Sequence, residues 1–195
     1  MRDSFCSCCG TRFQNAAWPR VCAACGETTW RNPTPVAVAL LPVVLPADGP
    51  GSGGSDPDGN GGSDPDGNGG RGVVVVRRSI DPGRGELGLP GGFMEVGESW
   101  QEAAVRELRE ETGIAAAAAD VRLFEVHSGT DGGVLLVFGL LPERPAAELP
   151  PVIATDETSE WLVLTRPQRL VFPTHTAALA SFFAQVPGGA PLLAP

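Results

Sequence analysis

At 195 residues the chain has room for one domain of ordinary size and a small module beside it. Its 42% hydrophobic content suffices for a core, but no apolar run reaches a membrane span and no signal-peptide pattern precedes the first cysteine. A soluble cytoplasmic protein is the expectation. A formal charge of −9 excludes broad, nonspecific nucleic-acid binding, and the absence of lysine among fourteen basic residues excludes P-loop or Schiff-base lysine chemistry.

Two C-x2-C-G pairs open the chain, Cys6 with Cys9 and Cys22 with Cys25, with twelve residues between the pairs. Each offers two thiolates from one tight turn, and two such turns can close a tetrahedral four-cysteine Zn2+ site. Residues 1–34 resemble a zinc ribbon. A module this short cannot build a sufficient core alone, so the metal would supply its folding energy. Disulfides or free thiols are the alternatives; a disulfide needs an oxidising compartment, and five cysteines leave one over, here Cys8. A site closed by four protein ligands is structural. Arg2, Arg12, Arg20 and Arg31 against Asp3 and Glu27 leave the module too weakly basic to imply nucleic-acid binding. Trp18 and Trp30 are expected to pack over the metal core, with base stacking as the alternative.

From Pro35 the pattern becomes extended. Val36 to Leu45 is one apolar, partly β-branched run and reads as a strand. GGSDPDGN at 53–60 is repeated at 61–68. Glycine, serine, aspartate and proline cannot bury apolar surface, so 47–70 is expected to be a disordered loop. The repeat lacks the acidic spacing and closing glutamate of a calcium loop. Gly72 to Arg78 returns as a buried strand, whose Arg77 and Arg78 either reach an anionic substrate or lie in solvent.

Leu89 to Gly92, LPGG, reads as a glycine-rich turn, and the stretch to Ile114 predicts a helix. Ser99 and Glu102 form a capping-box pattern, and Gly113 suits a left-handed end. Gln101, Ala104, Val105, Leu108 and Thr112 make the packing arc. Glu107, Glu110 and Glu111, at i, i+3 and i+4, share one side of the helix, where like charges repel. Two of them also lie in the last turn, where the helix dipole disfavours negative charge. Such a cluster calls for a cation, and oxygen-only ligands select Mg2+ or Mn2+. Three glutamates taken alone would fit an ordinary charged surface helix better than a metal site.

Beyond the helix, Val121 to His127 and Gly133 to Leu141 read as a strand pair. A proline-rich connection at Leu149 to Val152 leads to a strand around Glu160 to Leu164. Pro173 and Thr174 open a final helix through about Gln185, with Leu179, Phe182 and Phe183 inward. His127 and His175 read as surface histidines. Residues 187–195 read as a flexible tail, leaving 35–186 as the main domain.

The spacing Gly92, five residues, Glu98, seven residues, Arg106-Glu107-Leu108, one residue, Glu110-Glu111, one residue, Gly113-Ile114 resembles the Nudix box, GX5EX7REUXEEXGU, at every fixed position. The resemblance implies an α/β fold, the Nudix α/β/α sandwich with mixed sheet, preceded here by the zinc-ribbon module. It implies hydrolysis of a nucleoside diphosphate linked to another moiety, a nucleotide being the small-molecule partner. By the same resemblance Glu107 and Glu111 are the principal metal ligands, assisted by Glu110 and the Gly91 carbonyl. Arg106 orients the box through Glu98 and its other glutamates. The general base lies outside the box, among Asp156, Glu157 and Glu160, with Glu157 preferred. Trp161 either stacks on a base or packs inside. The zinc ribbon resembles the one in the NADH-diphosphatase branch. That branch, however, carries SQPWPFPxS after the box, where this chain reads AAAAADVRLFEVHSG. The chain also lacks any tyrosine, and with it the tyrosine associated with diadenosine polyphosphate hydrolases. An ADP-ribose-like or NAD-like dinucleotide is the expected substrate. A homodimer is compatible with the resemblance; membrane and nucleic-acid partners are not expected. The different-class alternative is a non-catalytic Nudix ligand sensor whose zinc ribbon contacts a partner.

Overall fold

The computed structural model describes residues 4–15, 17–46 and 70–185. The loop expected over 47–70 therefore lies, except for Gly70, outside the described residues, as do the tail at 187–195 and Arg2 and Asp3. Backbone contacts divide the chain into two compact units, Met1–Thr34 and Pro35–Pro195.

In the first unit β1 (Arg20–Val21) pairs antiparallel with β2 (Thr28–Thr29). Its two cysteine knuckles are built alike. The Cys6 N–H donates to the Thr11 carbonyl and Gly10 N–H to that of Cys6; Cys22 and Gly26 repeat this with Glu27 and Cys22. Gly10 and Gly26 both sit at φ +73°, a left-handed backbone that a side chain would strain.

In the second unit the strands are β3 (Thr34–Leu40), β4 (Pro42–Val44), β5 (Arg71–Arg78), β6 (Leu87–Gly88), β7 (Gly91–Phe93), β8 (Arg122–Ser128), β9 (Val134–Leu140), β10 (Arg144–Pro145) and β11 (Thr158–Leu164). The helices are α1 (Trp100–Thr112) and α2 (Pro173–Gln185). One sheet runs β7-β3-β9-β8 and the other β10-β4-β5-β11, with β6 on β5. The second is mixed: β10 lies parallel to β4, while β4 and β11 are antiparallel to β5.

Period-two alternation divides the strand residues between two cores. Ala37, Ala39 and Leu41, with Val43 and Val74, meet Ala103, Ala104 and Leu108 of α1. Val38, Leu40, Val73 and Val75 meet Ala178, Leu179 and Phe182 of α2. Helix, sheets, helix is the α/β/α sandwich expected. Each fully buried valine or leucine contributes about 1.5–3 kcal/mol of transfer free energy.

Three local expectations are corrected. The apolar run Val36 to Leu45 is two strands in two sheets. The Leu40 carbonyl accepts from Leu141 N–H at 2.9 Å, and the next carbonyl, Leu41, accepts from Val74 N–H at 3.1 Å. LPGG is no simple turn: Leu89 and Pro90 cross from β6 to β7, where Gly91 pairs with Val38 and Gly92 with Ala37. On α1 the capping box and the left-handed Gly113 (φ +76°) are present, but the packing arc is rotated. Ala103 and Glu111 are buried, while Gln101 and Val105 are only half-buried. The cause is a polar anchor for Glu111.

Candidate active site and cysteine cluster

That anchor is the Gly91 N–H, which donates to Glu111 Oε2 at 3.1 Å. It draws a carboxylate into the α1 core, where Glu111 is 5% exposed. Burial pushes its pKa up to about 8; the Gly91 bond and the positive field of Arg78 oppose this, and the charges of Glu107 and Glu157 add to it. Glu107, one turn earlier, is also raised, first by burial, with its Arg106 partner acting against. A Cβ on Gly92 would stand 2.5 Å from Glu107 Oε1, so β7 passes directly over that carboxylate.

Arg106 organises the other acids. Its Nη2 donates to Glu98 Oε1 at 2.8 Å and its Nε to Glu98 Oε2 at 3.1 Å. Nη1 reaches Glu107 Oε1 at 2.7 Å and Glu110 Oε2 at 3.1 Å, and Nη2 also donates to the Phe93 carbonyl at 3.0 Å. The Glu98 bond, the largest influence, raises the guanidinium pKa and holds the Glu98 carboxyl below its ordinary value. Glu98 also accepts from the Glu95 N–H.

Of the acids outside the box, Glu157 is exposed and lies where its charge acts on both Glu107 and Glu111. Thr158 holds it there. This buried hydroxyl donates to the Glu111 backbone carbonyl at 2.7 Å, and Ser79 N–H donates to the Glu157 carbonyl at 2.7 Å. Sequence reasoning missed Thr158, since nothing local marks a threonine whose partner is 47 residues away. Asp156 is exposed, whereas Glu160 is committed to Arg77 at 2.6 Å. Arg77 also donates to the Gly85 carbonyl. Arg78 donates from Nε to Pro82 and lies over the Phe172 ring. Trp161 is half-buried and packs against the α1 core. His175, expected at the surface, is 3% exposed in the α2 layer, and desolvation lowers its pKa to about 3. His127 is half-buried and paired with Glu125 at 2.7 Å.

The carboxylates of Glu107 and Glu111, with the Gly91 backbone joined to Glu111 through its N–H, are oxygen donors of the kind a hard divalent cation takes. Glu111 is a nearly buried carboxylate that accepts from one amide and lies in the field of two further acids, with only the field of Arg78 acting against them. Such an arrangement is costly until a cation compensates it.

In the first unit Cys6, Cys9, Cys22 and Cys25 place their Sγ atoms within 4.8 Å of one another. The Cys6–Cys25 and Cys9–Cys22 separations are 3.7 and 3.6 Å. Thiolates at tetrahedral corners about 2.3 Å from Zn2+ would stand about 3.8 Å apart, whereas a disulfide requires about 2.05 Å. Cys9 is lowered to about 6, chiefly by its side-chain hydrogen bond with Thr11. Cys25 rises to about 12: a backbone hydrogen bond at Glu27 lowers it, but Cys9, desolvation and the other thiols outweigh that. Cys8 is exposed outside the cluster. Trp30 does not pack as expected, being 65% exposed, while Trp18 carries the Arg20 guanidinium 4.2 Å above its ring.

The NUDIX domain family profile matches residues 65–186. The chain belongs to the Nudix family. A curated relative described as an ADP-ribose pyrophosphatase, from Methanocaldococcus jannaschii, is 48% identical over 42 residues, 22% of this chain and 25% of the relative. The match thus spans about a quarter of that relative's length. Among solved structures, a NUDIX hydrolase from Nitrosomonas europaea aligns with TM-score 0.58 and 20% identity over 93% of this chain and 91% of that one. A bifunctional NMN adenylyltransferase/ADP ribose pyrophosphatase from Francisella tularensis, complexed with AMP and Mn, aligns with TM-score 0.54 and 19% identity. That alignment covers 80% of this chain and 42% of the other. At these identities the structures share a fold. Among the described residues no helix is long and apolar enough to cross a membrane.

Proposed function

We propose that this protein is a Mg2+- or Mn2+-dependent pyrophosphohydrolase that cleaves the diphosphate of an ADP-ribose-like or NAD-like dinucleotide. The observation that carries this reading is the buried Glu111 carboxylate, anchored by Gly91 beside Glu107 and in the field of Glu157. The 48% identity over 42 residues with a protein described as an ADP-ribose pyrophosphatase supports the substrate class.

Glu107 and Glu111 hold the cation with the Gly91 carbonyl, and Glu110 assists from the exposed side. When bound, the cation neutralises phosphoryl charge and lowers the pKa of water at the site. Arg106 and Glu98 keep the glutamates in register. Glu157 is the general base, since its loop is fastened beside Glu111. Arg78, at the end of β5, supplies positive potential for an anionic substrate, whereas Arg77 is occupied by Glu160. The four cysteines hold a structural Zn2+ in a reducing, cytoplasmic setting.

The test is a panel of ADP-ribose, dinucleotides and nucleoside triphosphates incubated with purified protein and Mg2+ or Mn2+, scoring AMP or phosphate release. Metal-dependent AMP release from ADP-ribose or NADH, lost in Glu111→Gln, is expected. Tight nucleotide binding without turnover would instead establish a ligand sensor. Metal analysis of the same sample should find one zinc per chain.

A further inference from the structure

We propose that His175 is a positioning residue for the metal site, its Nδ1 fixing the strap that brings Gly91 to Glu111. This rests on the reading above that Gly91 and Glu111 hold the cation.

The strap joins β6 to β7, and its donors are fastened from opposite sides. Leu89, 3% exposed, donates its N–H to His175 Nδ1 at 3.1 Å. Pro90 has no N–H to give, and its carbonyl accepts from Ala39 N–H at 2.8 Å. Gly91 donates to Glu111. Consecutive available donors therefore go to a side chain of α2 and then to a side chain of α1. Slack between these points is small. A Cβ on Gly91 would stand 2.5 Å from the Ala37 carbonyl oxygen, so the strap already lies hard against β3.

His175 is suited to the task. Phe138 and Phe172 meet its ring edge-on, with centroids 5.6 and 5.0 Å away, which restrains the ring. An Nδ1 that accepts from an amide must be unprotonated, so the neutral ring carries its proton on Nε2. Burial favours the same neutral form. Leu89, Phe138, Leu179 and Phe182 belong to the apolar core of this layer, and the charge of Arg78 also acts on the ring. Packing alone would be served by leucine there; an acceptor at that spot is what histidine adds.

The test uses the full chain and Mn2+ alone as the probe, with binding read by electron paramagnetic resonance. Wild type is compared with Glu111→Gln, His175→Leu and His175→Asn, the last placing an oxygen near the Nδ1 position. Wild-type Mn2+ binding should vanish in Glu111→Gln. His175→Leu should weaken it about tenfold, the range seen when a residue supporting a ligand is lost, and His175→Asn should recover most of that loss. In turnover, His175→Leu should lower kcat while the nucleotide KM changes little. Equal Mn2+ affinity in wild type and His175→Leu overturns the proposal, as does a His175→Asn variant no better than the leucine one. If His175→Leu does not fold, the 15N shift of His175 Nδ1 in wild type decides. A change on Mg2+ saturation supports the role, and an unmoved signal overturns it. Wild-type Mn2+ binding that survives in Glu111→Gln would refute the metal reading itself, before any His175 variant is needed.

Discussion

Arg106 and Glu98 grip each other through two hydrogen bonds, guanidinium Nη2 to Oε1 at 2.8 Å and Nε to Oε2 at 3.1 Å. Both side chains are mostly buried, and the same guanidinium holds Glu107, Glu110 and the Phe93 carbonyl. Lysine has one point charge in place of this planar fork. Arg106→Lys should therefore lose about 1–3 kcal/mol of stability and about a hundredfold in kcat, since small misplacements of reacting groups cost that much. Denaturant melts and steady-state kinetics on one preparation would check both; unchanged kcat would deny Arg106 its organising role.

Glu111 makes stability depend on pH with an unusual sign. Its carboxyl titrates near 4.5 unfolded and about 8 when folded without metal. Between those values the native state binds the extra proton, so stability contributed by this group is full below 4.5 and is lost as pH rises through about 8. Metal-free Glu111→Gln should therefore melt higher than wild type at pH 8–9 and nearly level with it at pH 4.5. Mn2+ should raise the melting temperature of wild type alone. Thermal melts with and without chelator read this directly.

His175 acts at the acid end. Its folded pKa of about 3 lies below the ordinary 6.5, so the unfolded state binds more protons between them. Stability from this residue is full above 6.5 and drains as pH falls towards 3, by up to about 1.4 kcal/mol per pH unit. His175→Asn should flatten that part of the stability curve, as measured by urea unfolding at several pH values. Parallel wild-type and variant curves would mean the histidine is not held neutral.

Gly92 leaves room for a carboxylate. A methyl group there would collide with Glu107 at 2.5–2.7 Å, but with the far end of a flexible side chain. Gly92→Ala should fold with a loss of about 1 kcal/mol or less while raising the half-activating metal concentration about tenfold. Metal titration of activity, paired with a melt, separates the two effects.

The parts legible in the sequence were those whose causes are local. Ser99 and Glu102 lie three residues apart, the Gly113 end follows from its missing Cβ, and each cysteine pair shares one turn. What escaped depends on distant partners. Glu111 is buried because an amide twenty residues earlier receives it, and Thr158 matters because α1 ends beside it. Leu40 and Leu41 belong to one apolar run, and an uninterrupted run carries no mark of where the chain changes sheets. His175 looks like any polar residue opening an amphipathic helix until the phenylalanines around it are known.

That change of sheets has a mechanical result. Neighbouring carbonyls, one on Leu40 and one on Leu41, are each tied to a different sheet with no loop between them. Shear of one layer past the other at this point must rupture a ladder within a single peptide's length, so the junction pins the two layers together there.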